Sequence, residues 1–177
     1  MLRRYYTGPE LAQLRLDGNR IYGAPAASQN KHTKNLNNIK GFFGEEIIGN
    51  ILNLLAVENE GAFVCHSVAF VDNTQGETDH VFIYKDRIIL IETKAFSGYT
   101  SYRVSKEGFL KGSHGKGRGR RLDDSNVYKK VAAYQEMFPN RKVQAILAIT
   151  RDNVKTWSEN GKYKVVSLDN IMQVLRS

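Results

Sequence analysis

Two apolar runs separated by only two residues dictate the centre of this fold. His80 to Tyr84 (HVFIY) and Arg87 to Lys94 (RIILIETK) are rich in β-branched and aromatic residues, and Lys85-Asp86 alone lies between them. So short a connection joins antiparallel strands. Side chains alternate along a strand, so Val81 and Ile83 oppose Phe82 and Tyr84, and Ile88 and Leu90 oppose Ile89 and Ile91. Strands that are apolar on both faces belong in the middle of a sheet covered on both sides.

The flanking segments supply the cover. From Gly41, GFFGEEIIGNILNLLAVE sets Ile47, Ile48, Ile51, Leu52, Leu54 and Leu55 at helical spacing, a broad face suited to lying on a sheet. Ala62 to Val71 reads as a strand, and the turn-forming run DNTQGET follows it. A weak hairpin is expected through residues 101–104 and 108–111, then a flexible glycine-rich loop, GSHGKGRGRRLDD. A helix is expected from Asp124 to Phe138 with Asp124 or Ser125 as its N-cap. Lys142 to Ile149 is a buried strand, Lys162 to Val166 a short one, and Ser167 caps a last helix. The order predicts a mixed α/β fold, a central mixed β-sheet flanked by helices. Residues 1–40, with Gly8-Pro9, Gly23 and Pro25, read as a loosely structured N-terminal extension before a domain of residues 41–177, with short ordered pieces near Glu10 to Leu16 and Arg20 to Tyr22.

The charges are placed where such a sheet has least use for them. Glu92 and Lys94 share one face of their strand, and twelve residues separate Glu92 from Asp79 at the start of the neighbouring strand. Counting back from the turn brings all three to one end of the hairpin. Hydrolysis of a phosphodiester needs an activated water and neutralisation of the charge that builds on phosphate. Mg²⁺, or Mn²⁺, supplies both, and Mg²⁺ favours few carboxylates plus waters. Asp79 and Glu92 would be those carboxylates, the Thr93 backbone carbonyl a third ligand, and Lys94 the group beside the attacking water. The same residues also suit a buried Glu–Lys ion pair with Asp79 capping a turn or strand.

The motif set resembles the nuclease-related domain (NERD) family of the PD-(D/E)xK nuclease superfamily. Gly44-Glu45 opens a helix, Asp79-His80 starts a strand, and Ile91-Glu92-Thr93-Lys94 is followed by Gly98, in that order over roughly residues 41–150. The resemblance implies a restriction-endonuclease-like fold and an Mg²⁺-dependent endonuclease. It also implies that Asp79 and Glu92 hold metal, that Lys94 is catalytic and that Glu45 is an additional acid. Two positions depart from the family pattern. Glu77 stands where a glutamine is frequent, and the N-P-x-x-Q helix start reads Asn126-Val127-Tyr128-Lys129-Lys130, so Lys129 and Lys130 are expected to contact phosphate instead.

Charge composition agrees with a polyanionic partner. Lys and Arg number 26 against 18 Asp and Glu, a net charge of +8. Lys111, Lys116, Arg118, Arg120 and Arg121 alternate with glycines in the flexible loop, and Tyr99, Tyr102 and Phe109 precede it as candidates for base stacking. DNA is favoured over RNA, a homodimer is left open, and a non-catalytic nucleic-acid-binding module or a membrane-surface domain is the rival. His80 alternates away from Asp79 and reads as a core histidine. The single cysteine, Cys65, excludes an intramolecular disulfide and a multi-cysteine zinc site and suits a reducing cytoplasm. No secretory leader is expected behind Arg3-Arg4, and no apolar run approaches the ~20 residues that span a bilayer.

Overall fold

The computed structural model describes residues 20–23, 36–69, 76–115 and 117–177, with side chains from 40 onward in the first helix. Most of the expected N-terminal extension, residues 70–75 with the end of the expected strand and the start of the expected DNTQGET turn, and Lys116 lie outside the described residues, while Glu77 and Thr78 of that turn are strand. Arg20 to Tyr22 is ordered as foreseen. β1 (Ile21–Tyr22) pairs in parallel with β2 (Phe63–Ala69), and Tyr22 is buried against Phe63.

The central sheet runs β1-β2-β3-β4-β8-β10, where β3 is Glu77–Tyr84, β4 is Arg87–Lys94, β8 is Lys142–Ile149 and β10 is Lys164–Ser167. The two-residue connection makes β3 and β4 antiparallel, with Lys85 in the left-handed region. β8 and β10 add in parallel, and β4 and β8 stay in register over their whole length, from Arg87 opposite Lys142 to Lys94 opposite Ile149. The expected mixed sheet flanked by helices is therefore the architecture found.

Alternation sorts the apolar side chains into two layers. Ile89, Ile91 and Phe82 pack against Ile48, Leu52 and Leu55 of α1 (Leu36–Glu58) and Ile171 and Leu175 of α3 (Ile171–Arg176). Val81, Ile83, Ile88 and Leu90 pack against Val127 and Tyr134 of α2 (Val127–Met137). α1 is longer than its apolar face requires. Ile47 and Leu54, expected in that face, are exposed, as are Phe43 and Val57.

The expected hairpin and part of the expected flexible loop build a second sheet together with a strand from beyond β8, ordered β7-β6-β5-β9. Its strands are β5 (Ser101–Val104), β6 (Leu110–Ser113), β7 (Arg120–Arg121) and β9 (Lys155–Ser158). Tyr102, Val104 and Leu110 bury its inner face in the α2 layer. Gly112 is needed there for close packing, since a Cβ would come within 2.8 Å of Leu122 and Tyr99. α2 starts later than expected. Asn126, in the left-handed conformation and with no side-chain cap bond, precedes it. Asp124 instead accepts the Asn126 N–H and the Tyr163 hydroxyl, and Ser125 is drawn to Lys94.

Candidate active site

The β3–β4 ladder is paired up to His80 opposite Ile91, which leaves Asp79 and Glu92 one step beyond the last pair. There the strands part. Asp79 Oδ2 accepts the Thr93 backbone N–H at 2.7 Å, so a side chain replaces the next rung and places a carboxylate at the end of two central strands. Alternation from Ile88 and Leu90 carries Glu92 and Lys94 to the α2 side.

Glu92 is 3% exposed. Burial, and then the neighbouring charge of Asp79, push its carboxyl up to about 8, while Lys130 and Lys94 pull the other way. Lys130, from α2, donates to Glu92 Oε1 at 2.5 Å and to the Glu77 carbonyl at 2.6 Å, and it is as buried as Glu92. Lys94 reaches Asp123 Oδ2 at 2.8 Å and Ser125 Oγ at 2.6 Å. Asp79, Glu92 and Lys94 thus share one end of the sheet, and a buried glutamate–lysine pair is also present, made by Lys130 rather than Lys94.

Glu45 belongs to α1, in the other layer. Its neighbour Gly44 has no room for a side chain, since a Cβ would lie 2.8 Å from the Thr150 side chain. Thr150 in turn donates its backbone N–H to the Lys94 carbonyl at 3.0 Å. The glycine therefore lets α1 close onto the ends of β4 and β8, and half-buried Glu45 is the next residue of the helix.

Two carboxylates, one of them crowded by the other's charge, fit a hard divalent cation that keeps most of its waters. Among the described residues no group of three His, Cys, Asp or Glu side chains is placed to hold a metal ion. A cation here would therefore rest on Asp79, Glu92, the Thr93 carbonyl and water. Lys130 already engages Oε1 of Glu92, so Oε2 is the remaining oxygen.

The cations expected on nucleic acid divide. Arg118, Arg120, Arg121 and Lys129 are exposed, and Lys111 is half-buried beside Glu107. Lys130 faces the interior, and Lys116 is outside the described residues. Of the aromatic candidates, Tyr102 is fully buried and Tyr99 stacks on His114. The sequence reading missed Asp123, Ser125 and the partner of Lys130. One signal for Lys130 was present: it shares helical spacing with Val127 and Tyr134, and a lysine on the buried face of a helix needs an acid opposite it.

His80 points away from this cluster. Its Nδ1 lies 2.7 Å from Nδ1 of His66, whose Nε2 is 2.8 Å from Asn53 Oδ1. The Asn53 oxygen requires the proton on His66 Nε2, so His66 Nδ1 accepts and His80 Nδ1 donates. Both rings are neutral. Burial pulls His66 down to about 4; burial and then the neighbouring His66 pull His80 well below its usual value.

Fold and site together define a mixed α/β domain of nuclease-related type. Residues 40–150 match the family model of the nuclease-related domain (NERD), and the chain belongs to that family. Comparison with curated proteins and with solved structures gives no match. Among the described residues no helix is long and apolar enough to cross a membrane.

Proposed function

We propose that this protein is a metal-dependent endonuclease that hydrolyses phosphodiester bonds in DNA. The observation that carries the reading is Asp79, held on the Thr93 N–H at the parted end of β3 and β4, adding its charge to the burial that holds Glu92 up to about 8. A buried carboxylate and a half-buried one that repel one another favour a cation between them. Asp79, Glu92 and the Thr93 carbonyl would hold Mg²⁺ or Mn²⁺, which when bound supplies an activated water and charge neutralisation on the phosphate. Lys94 stands beside that position, oriented by Asp123 and Ser125, to bind and steady the phosphate oxygen on which charge develops. Lys130 holds Glu92 in place from behind. Glu45 supplies a further acid from α1. The exposed arginines and Lys129 supply backbone affinity without sequence readout, and one cysteine, buried, suits a reducing cytoplasm.

The test is cleavage of circular and linear DNA with Mg²⁺ or Mn²⁺ present. Asp79→Ala, Glu92→Ala and Lys94→Ala should each abolish it while the chain stays folded. Wild type that never nicks DNA or RNA under any metal would retire the enzyme reading. A second reading, a nucleic-acid-binding module without catalysis, is favoured by one observation: the Lys130 ammonium already occupies one oxygen of Glu92. Calorimetric titration with Mn²⁺ separates the two, because the module predicts no heat of binding and DNA affinity unchanged by Asp79→Ala.

A further inference from the structure

The second sheet turns a face of cations and aromatic rings outward. Lys111 is directly opposite Arg121 on one side and Arg103 on the other, and Arg103 is opposite Trp157. Residues directly opposite one another project to the same face, so Arg121, Lys111, Arg103 and Trp157 form one row across all four strands. With strands about 4.8 Å apart, the row is about 14 Å long. The other face of the same strands is the buried one, carrying Tyr102, Val104 and Leu110.

Like charges at opposed positions destabilise a sheet, and here three stand in succession. Glu107 and Glu159 offset two of them at 3.6 and 3.3 Å, and both contacts are partly exposed. The rings are set among the cations. The Arg121 guanidinium lies 3.6 Å over the Phe109 ring, Arg103 lies 5.8 Å from the Trp157 ring, and Trp157 is 40% exposed. A run of cations with an aromatic plane at each end matches a polyanion whose bases are unpaired, because phosphates take the charge and base faces stack on the rings. A duplex hides those base faces.

The row also leads to the charged end of the central sheet. Arg121 is two residues from Asp123, a reach of at most about 7 Å, and Asp123 bonds Lys94. We propose that the outer face of the second sheet is a binding platform for single-stranded nucleic acid, which delivers the strand to the site at Lys94. Delivery rests on the nuclease reading, whereas binding to the platform does not.

Trp157 is the chain's single tryptophan, so its emission reports on the platform alone. Short oligo(dT) and oligo(rU) are titrated into the full chain in EDTA, following tryptophan emission and the anisotropy of labelled oligomer together. The two signals should saturate in parallel, and a blunt duplex should leave the emission unmoved. Trp157→Ala should weaken binding at least about 5-fold, the lower end of what one base–aromatic stack is worth, and Trp157→Phe should restore it. Arg103→Ala and Lys111→Ala should each lower the salt slope by about 0.7. Oligomer binding with unchanged emission and unchanged affinity in Trp157→Ala overturns the platform and leaves the nuclease reading intact. Absence of oligomer binding at low salt overturns it as well. Binding and quenching as expected, with no cleavage once Mg²⁺ or Mn²⁺ is added, retires the nuclease reading alone.

Discussion

Replacing Glu92 by glutamine should change how stability depends on pH in a way that only a buried, elevated carboxyl explains. The ordinary glutamate value is 4.5, and in the folded chain Glu92 sits at about 8. Between those values the folded state holds a proton that the unfolded state has released, so stability falls as pH rises. The full span corresponds to on the order of 5 kcal/mol, a large part of the stability of an ordinary domain. Glutamine keeps the shape and an oxygen for Lys130, but it cannot titrate. The histidine pair complicates either chain measured alone. His66 and His80 are held below 6.5, which makes stability fall as pH drops toward 4 and partly masks the Glu92 trend. Both chains carry those histidines, so their contribution cancels in the difference. Urea unfolding of wild type and Glu92→Gln, in EDTA and at intervals from pH 4.5 to 9, therefore isolates the carboxyl. The difference should swing by several kcal/mol in favour of glutamine as pH rises, whatever constant offset the substitution adds. Two parallel curves would refute the electrostatic account of the site.

In the Glu92→Gln background the histidines can be read directly: stability should decline from pH 6.5 toward 4, and a urea series on His66→Gln/His80→Gln should show that decline flattened. Gly44→Ala should lose about 1–3 kcal/mol, because the new methyl group meets the Thr150 side chain; adding Thr150→Ala should recover part of the loss in the same urea assay. Asp123 is mostly exposed, so Asp123→Ala should cost under about 1 kcal/mol in denaturant unfolding despite its bond to Lys94. At pH 8, Mn²⁺ at about 100 times its Kd should stabilise wild type by roughly 2.7 kcal/mol; calorimetric melting should show no such gain in Asp79→Ala.

The central strands were legible because their information is local. Arg87–Lys94 and Lys142–Ile149 begin and end where the apolar runs do. The second sheet was not. β9 reads KTWS, with no apolar alternation, and exists because it pairs in parallel with β5, some fifty residues earlier. β7 is two arginines held by Lys111 and Gly112. The carboxylate–lysine cluster followed from counting residues back from a turn. Its neighbours did not, because Lys130 reaches Glu92 across two layers, and Asp123 and Ser125 carry the ordinary signature of a helix cap. The left-handed Asn126 moved the helix start past them and freed both side chains for Lys94.

Strand β2 shows how far such counting can be overridden. Ser67 has a φ of 55°, and beyond it Val68 joins the same cluster as Cys65, where strict alternation would send it to the opposite layer. The tight Lys85-Asp86 turn has no such correction below it, so one residue inserted there would invert β4 as a whole. Ile88 and Leu90 would trade layers with Ile89 and Ile91 with little loss of greasiness, while Glu92 and Lys94 would swing toward α1. The scaffold would forgive the error and the carboxylate–lysine cluster would not, which makes the length of a two-residue bend a determinant of site geometry six to eight residues away.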